Sequence, residues 1–270
     1  MKDKVALITG STDGIGRQAA LELASMGATV YVHGRDALRG GNVVEEIRKA
    51  TGNQRVELLI ADLSSLEHVR RLAAEVIERC TNLHILINNA GVFMTERRMT
   101  QDGFETTFQV NHLAPFLLTN LLLDLLKKSA PARVITVSSV AHTRGSLDFE
   151  NLQSEKNFGG YSAYARSKLA NVLFTYELAE RLKGTDVTSN CLHPGVVGTK
   201  LLRTGFDMQG ASTADGAETI VYLANSPEVD GVSGLYFQDK RQTPSSPVTY
   251  DVELRKTFWQ ASERFTGLAR

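Results

Sequence analysis

Apolar runs of strand length alternate along the chain with stretches in which apolar residues recur every three or four positions. The runs are Val5 to Thr9, Thr29 to His33, Val56 to Ala61, His84 to Asn88, Arg133 to Ser138, Val187 to Leu192 and Gly234 to Phe237. Between them the helical period predicts helices over roughly Ile15 to Met26, Asp36 to Lys49, Leu66 to Arg79, Phe104 to Lys128 in one or two pieces, Tyr161 to Leu182 and Thr213 to Leu223. A further helix is predicted over Tyr250 to Phe265, with Leu254, Phe258 and Trp259 on or near one face. Strands that are continuously apolar and separated by helices mark a parallel sheet covered on both faces. The expected fold is α/β: a doubly wound parallel sheet of seven strands with helices on both sides.

There is no internal repeat, low-complexity tract or Pro/Gly/Ser-rich linker long enough to divide the chain, so residues 1–270 read as one domain. Two segments break the rhythm, Thr143 to Gly160 after the fifth strand and Lys200 to Ser212 after the sixth. Both leave the carboxyl ends of strands, where ligands of open α/β sheets bind. They are candidates for covering a substrate; the alternative is a solvated loop.

Composition narrows the partners. Of 270 residues, 42% are hydrophobic and 22% charged, and Lys+Arg and Asp+Glu balance at 30 each, which describes an ordinary folded chain with no general attraction to nucleic acid or an anionic membrane. The longest apolar stretch, Leu113 to Leu126, is interrupted by Thr119, Asn120 and Asp124 and falls short of the roughly 20 residues that span a bilayer. Val5 to Ile8 is too short, and too soon broken by Gly10, for a signal peptide. A cytoplasmic protein is expected. Cys80 and Cys191 stand at no ligand or redox spacing, and the six histidines form no His-Glu-x-x-His pattern, so no metal is expected.

The first strand delivers Gly10-Ser11-Thr12-Asp13-Gly14-Ile15-Gly16 and then an Ala/Leu-rich helix. Glycines there let the backbone approach a pyrophosphate, and the free N–H groups of the helix start favour its charge. Placement after an N-terminal strand and before a helix makes this a dinucleotide-binding, Rossmann-type turn, although the spacing is Gly-x-x-x-Gly-x-Gly. After the second strand comes Val32-His33-Gly34-Arg35-Asp36. An NAD site usually puts an acid near here for the ribose 2′-hydroxyl, whereas a 2′-phosphate calls for its absence and a nearby guanidinium. Gly34 vacates the acid position and Arg35 follows; Asp36 fits a helix N-cap better than a ribose acid. The preferred cofactor is therefore NADP(H) over NAD(H). Asp62, followed by Leu63, is placed either to accept from an adenine amino group or to cap the helix starting near Ser65, and Asn88-Asn89-Ala90-Gly91 ends the fourth strand with small residues that leave room for a ribose or form a plain turn.

Tyr164-Ala165-Arg166-Ser167-Lys168 lies in a predicted helix, so the phenol and the ammonium share a face one turn apart. A neighbouring lysine charge stabilises a phenolate and is expected to lower the tyrosine pKa.

Together these elements resemble the short-chain dehydrogenase/reductase family, whose members carry a Thr-Gly-x-x-x-Gly-x-Gly loop, Asn-Asn-Ala-Gly, a helix Asn, a Ser after the fifth strand and Tyr-x-x-x-Lys. Here those are Thr9 to Gly16, Asn88 to Gly91, Asn111, Ser139 and Tyr164 with Lys168, followed by the Pro194-Gly195 turn, Val197 and Thr199. The likeness covers about residues 4 to 240. It implies a cofactor half over about 1–138 and a catalytic and substrate half over about 139–270. It also implies residue roles. Tyr164 would exchange a proton with the substrate oxygen, Lys168 would tune Tyr164 and hold the nicotinamide ribose, and Ser139 rather than Ser138 would bond the carbonyl oxygen. Asn111 would anchor a water linked to Lys168, and Thr199 would bond the carboxamide or a phosphate. His112, His142 and His193 flank these motifs and are read as packing residues.

Within the family, Ser139-Val140-Ala141-His142, Asp148-Phe149, Leu152 to Lys156 and Tyr164 through Phe174 look like the retinol dehydrogenase group. That likeness implies interconversion of a carbonyl and an alcohol on an apolar small molecule: retinal-like, a lipid aldehyde or a steroid. Leu201, Leu202, Phe206 and Met208 are candidates for an apolar lid or for simple packing. Rival readings are a broad-range keto-reductase and a non-catalytic dinucleotide sensor; the latter would need only the glycine loop. Family members pair through the two helices that here are Phe104 to Lys128 and Tyr161 to Leu182, which implies a homodimer or homotetramer.

Overall fold

The computed structural model describes residues 1–206 and 210–268, with the side chains of 204–206 left aside. Its strands are β1 (Val5–Ile8), β2 (Thr29–Gly34), β3 (Val56–Ile60), β4 (Ile85–Asn88), β5 (Ala132–Val137), β6 (Val187–His193), β7 (Tyr236–Gln238) and β8 (Arg241–Gln242). The helices are α1 (Gly14–Ser25), α2 (Ala37–Thr51), α3 (Leu66–Arg79), α4 (Thr106–Phe108), α5 (Ala114–Lys128), α6 (Gly160–Arg181), α7 (Lys200–Phe206), α8 (Thr213–Asn225) and α9 (Val252–Thr266). The sheet runs β3-β2-β1-β4-β5-β6-β7-β8, parallel except for the last strand. Chain direction across the sheet reverses between β1 and β4, which opens a crevice at their carboxyl ends.

Alternation along each strand feeds two cores. Ala6, Ile8, Val30, Val32, Ile85 and Ile87 face α1, α2 and α8, whereas Leu7, Leu86 and Val134 face α3, α5 and α6. Polar residues set the helix starts: Asp13 accepts from Gly14 N, Asp36 from Arg39 N, Ser65 from His68 N and Asp251 from Leu254 N. Asp36 is thus the N-cap the sequence suggested.

Among the described residues the sheet has eight strands rather than seven. β7 and β8 form a tight hairpin whose two central residues, Asp239 and Lys240, have φ of 51° and 60°. Such a turn usually advertises itself with Asn-Gly, and Asp-Lys gives no such signal. Tertiary contacts hold it: Lys240 N donates to Thr219 Oγ1, and Lys240 Nζ pairs with Glu218.

Two further differences bear on the site. The segment after β6 contains the helix α7, where an irregular loop was expected. The segment after β5 turns through a 3₁₀ helix (Val140–Arg144) and then crosses to the far side of α6 from Tyr164, where Leu147 and Leu152 pack with Leu169, Leu173 and Phe258. Its middle is therefore a wall of the helical layer, not a cover over the site.

α9 completes that wall. Trp259 stacks on Phe174 (5.8 Å, 19°) and meets Phe116 edge-on, Arg181 lies 4.3 Å over its ring, and Ser262 Oγ stands 2.8 Å from His112 Nε2. In consequence every residue of α6 from Ala163 to Leu178 is buried. Of the two helices expected to face a second subunit, α6 is enclosed by its own chain from Ala163 to Leu178. Among the described residues no helix is long and apolar enough to cross a membrane.

Candidate active site

The phosphate loop is shaped by close approach. Gly10 (φ 64°) and Gly14 (φ 55°) are left-handed, and a Cβ on Gly10 would lie 2.8 Å from Ala90 Cα. A Cβ on Gly16 would lie 2.3 Å from Asn89 Nδ2. Asn89 ties the loop to β4 by donating to the carbonyls of Thr9 and Gly10. His33 holds the other side: its Nδ1 accepts from Gly10 N at 3.1 Å, while its backbone exchanges hydrogen bonds with Ser11. Burial pushes this imidazole down to about 4, so it stays the neutral acceptor that the loop requires. Asn89 is legible in the sequence only as a member of the Asn88 to Gly91 strand end, and nothing there gives His33 a role, because each acts through the loop rather than through a ligand motif. Ile15 and Val197 close around Gly216, whose Cβ would meet both, and Thr199 Cγ2 comes within 3.3 Å of a Cβ on Gly14. The turn after Pro194-Gly195 therefore lies over the glycine loop.

At the end of β2, a Cβ on Gly34 would lie 2.6 Å from Thr12 Cγ2. The position usual for a ribose acid is thus closed by the loop itself. Two guanidiniums flank it. Arg35 is exposed and close enough to Asp62 to act on its charge; Arg39, which sequence reasoning missed, bonds Thr12 O through Nε and pairs with Asp13 at 2.7 Å. Arg39 lies in the first turn of α2, three residues after its Asp36 cap, and a second arginine so soon after Arg35 is the signal that was available.

Asp62 is not the cap of α3, since Ser65 is; its carboxylate accepts from Ser64 N and Oγ. Burial opposes its charge, but the Ser64 bonds and Arg35 outweigh it and hold the carboxyl below its usual range. Leu63 is buried in the α3-side core. Asn88 donates to Thr119 Oγ1 and is turned into the core, away from the crevice. Gly91 sits at the crevice floor, where a Cβ would be 3.5 Å from both Asn111 Oδ1 and Lys168 Nζ.

Asn111 lies in a single π-helical turn (Gln109–Leu113) between α4 and α5, a feature that recurs at functional sites. Its amide grips Val92 from both sides, accepting from Val92 N (2.7 Å) and donating to Val92 O, and it also donates to Ser167 Oγ. Lys168 donates to Val137 O at 3.0 Å, and its Nζ lies 5.5 Å from the centre of the Tyr164 ring. Burial pulls this ammonium down to about 8.

Tyr164 and Ser139 are hydrogen-bonded through their side chains. Ser138, by contrast, turns its hydroxyl to Lys168 O. Burial pushes Tyr164 up to about 12, with the Ser139 bond working in the opposite direction. Desolvation, and not the lowering expected from the charge of Lys168, sets the direction, and Lys168 Nζ donates to the Val137 carbonyl. His142 is fixed as a neutral tautomer between Ser139 O and Ser246 N, and His193 is pushed down to about 4 by burial.

Apolar groups pack around the Tyr164 ring. Phe93 (rings 5.7 Å apart) and Leu201 pack against Ala141, Tyr164 and Ala165, and Val140, Tyr161 and Val196 are large apolar side chains left exposed nearby in sequence. Leu202 is buried; Met208 and the Phe206 side chain lie outside what is described. Among the described residues no group of three His, Cys, Asp or Glu is arranged to hold a metal.

Comparison with known proteins agrees with this architecture. The family profile described as short chain dehydrogenase matches residues 4–210. Human retinol dehydrogenase 12 is 45% identical over 98% of this chain and 87% of its own length. A crystal structure of a protein from Mycobacterium paratuberculosis superposes with a TM-score of 0.82 at 32% identity, covering 98% of this chain and 94% of that one. A short chain dehydrogenase from Escherichia coli CFT073, complexed with NADPH, superposes with a TM-score of 0.74 at 27% identity, covering 89% and 98%.

Proposed function

The chain belongs to the short-chain dehydrogenase family, as an alcohol/carbonyl oxidoreductase similar to retinol dehydrogenases, and we propose that it uses NADP(H) to interconvert a carbonyl and an alcohol on an apolar small molecule. The observation that carries this reading is the convergence of Ser139, Tyr164 and Lys168 at the crevice mouth, beside a glycine loop flanked by two arginines.

The residues present fit a phosphorylated dinucleotide. The left-handed glycines let the backbone come close to a pyrophosphate, and the start of α1 offers it backbone N–H groups. Arg35 and Arg39 offer guanidiniums where Gly34 leaves no room for an acid, and the Asp13 pair is exposed enough to exchange for a phosphate. When bound, the nicotinamide supplies or takes up a hydride.

The chain does the rest. In the reducing direction the Tyr164 hydroxyl, protonated across the neutral range, gives its proton to the carbonyl oxygen. Ser139 Oγ donates to the same oxygen as charge develops on it. Lys168, fixed by Val137 O, places its ammonium beside the phenol, and its charge favours the phenolate left behind. Asn111 locks the Val92 backbone against α6 and so sets the crevice floor. Phe93, Leu201 and Tyr164 exclude water from the reacting oxygen.

The test is a panel of carbonyls containing retinal, medium-chain aldehydes and a steroid ketone, followed by NADPH absorbance. Turnover concentrated on the apolar members supports the reading. Absence of turnover on every member overturns it.

A further inference from the structure

Arg166 stands inside the Tyr164–Lys168 stretch but points the other way. It is 8% exposed, and its guanidinium donates from Nε to Ser146 O (3.2 Å) and from Nη1 to Leu152 O (3.0 Å) and Ser154 Oγ (2.9 Å). None of the ion pairs among the described residues includes it; the acids that act on it, Glu105, Glu155 and Asp148, do so at longer range. A buried guanidinium satisfied by neutral oxygens is costly to desolvate, and its return here is geometric: three bonds onto one short segment.

That segment is the middle of the connection from Ser139 to Tyr164. It is gripped elsewhere too, by Arg97 Nε on Gln153 O and by Glu105 N on the Gln153 side chain. Ser154 is held at φ 55°, a left-handed conformation unusual for serine that persists only where surroundings enforce it. Meanwhile α6 starts at Gly159 without a side-chain cap, so its first turns depend on tertiary contacts for their position. Gly145 meets Ala165 O and Gly160 meets Met94 O so closely that a Cβ would stand 2.6 and 2.5 Å away. Arg166 is the polar group that draws this path onto the helix, half a turn from Tyr164.

Resting on the reading of Tyr164 and Ser139 given above, we propose that Arg166 is a positioning residue: by binding the 146–154 segment to α6 it fixes the Tyr164 hydroxyl relative to Ser139. The substrate oxygen must sit within reach of both hydroxyls, and misplacement by about 1 Å costs on the order of a hundredfold in rate.

The experiment compares Arg166→Met, Arg166→Lys and Ser154→Gly with the parent. Arg166→Met keeps the bulk and removes all three bonds; Ser154→Gly removes one acceptor while relaxing the backbone, so it remains folded even where Arg166→Met is not. Expected for Arg166→Met is a fall in kcat of about 10- to 100-fold, with the Kd for NADPH, read by cofactor fluorescence, changed less than about twofold. The alkaline limb of the pH profile stays where Lys168 sets it, near 8, so the loss is one of geometry and not of titration. Arg166→Lys and Ser154→Gly show the same loss in smaller measure. By hydrogen exchange, amides of 146–154 and 160–165 exchange faster while α9 does not, a readout that needs no turnover. Parent-like kcat and exchange in the folded variants overturn the proposal, as does a stability loss with kcat unchanged or a fall in kcat matched by an equal loss of NADPH affinity. A parent that turns over no carbonyl, or a Tyr164→Phe variant that remains active, instead defeats the underlying functional reading, with the exchange measurement still deciding the role of Arg166.

Discussion

Arg39 and Asp13 pair at 2.7 Å beside the phosphate loop, and Arg39 also bonds the backbone of Thr12, the residue that closes the position at Gly34. Both partners are about half exposed, so the pair contributes little to stability and is free to be exchanged for a stronger anion. Arg39→Ala is therefore expected to raise the KM for NADPH about 10-fold or more while changing that for NADH little, since one charge-assisted phosphate contact contributes roughly 1.5–3 kcal/mol. Steady-state kinetics with both cofactors check this.

Folding stability is expected to fall with acid below neutrality. His33, His112 and His193 are held near 4, 3 and 4 by burial, whereas in the unfolded chain they titrate near 6.5. Between those values the unfolded state binds more protons, so stability is complete above about pH 6.5 and drains away as pH falls, by up to about 1.4 kcal/mol per unit for each histidine. Thermal melts between pH 7.5 and 4.5 measure it. Protonation of His33 in the folded chain removes the acceptor for Gly10 N, so NADPH affinity should hold through the neutral range and weaken only as pH approaches about 4.

The carbonyl-reducing rate is expected to decline on the alkaline side. Lys168, pulled down to about 8, loses its charge as pH rises through that value, while Tyr164 at about 12 keeps its proton. A kcat profile for reduction that is flat below about pH 7 and falls above 8 fits this assignment. Lys168→Met should abolish the limb together with most of the rate.

α6 is enclosed on all sides from Ala163 to Leu178, so it has no face left for a second copy. A mass of 29.6 kDa by light scattering is the expected result at micromolar concentration. Trp259→Ala, which empties the contact with Phe116 and Phe174, should cost about 3–5 kcal/mol and open that face. A particle of twice the mass in the parent would show that another surface pairs.

Much of this was legible in the chain. The apolar runs mark the parallel strands because both faces of such strands are buried; placement between a strand and a helix picks out Gly10 to Gly16, and the family resemblance picks out Tyr164 with Lys168. What escaped depends on contacts between distant residues. The β7–β8 turn carries Asp239-Lys240 where the backbone geometry ordinarily asks for Asn-Gly, so Thr219 and Glu218 had to hold it. His33 and Asn89 gain their roles only when β1 lies between β2 and β4. The covering of α6 could not be read from its period, since a helix buried all round has no distinct apolar stripe.

The most direct test of the account is Tyr164→Phe, which removes one hydroxyl from a residue already packed against Phe93 and Ala165. The predicted result is a loss of NADPH-dependent carbonyl reduction of at least about 10²–10⁴-fold with an unchanged Kd for NADPH. Turnover retained near the parent rate would contradict the mechanism at its centre.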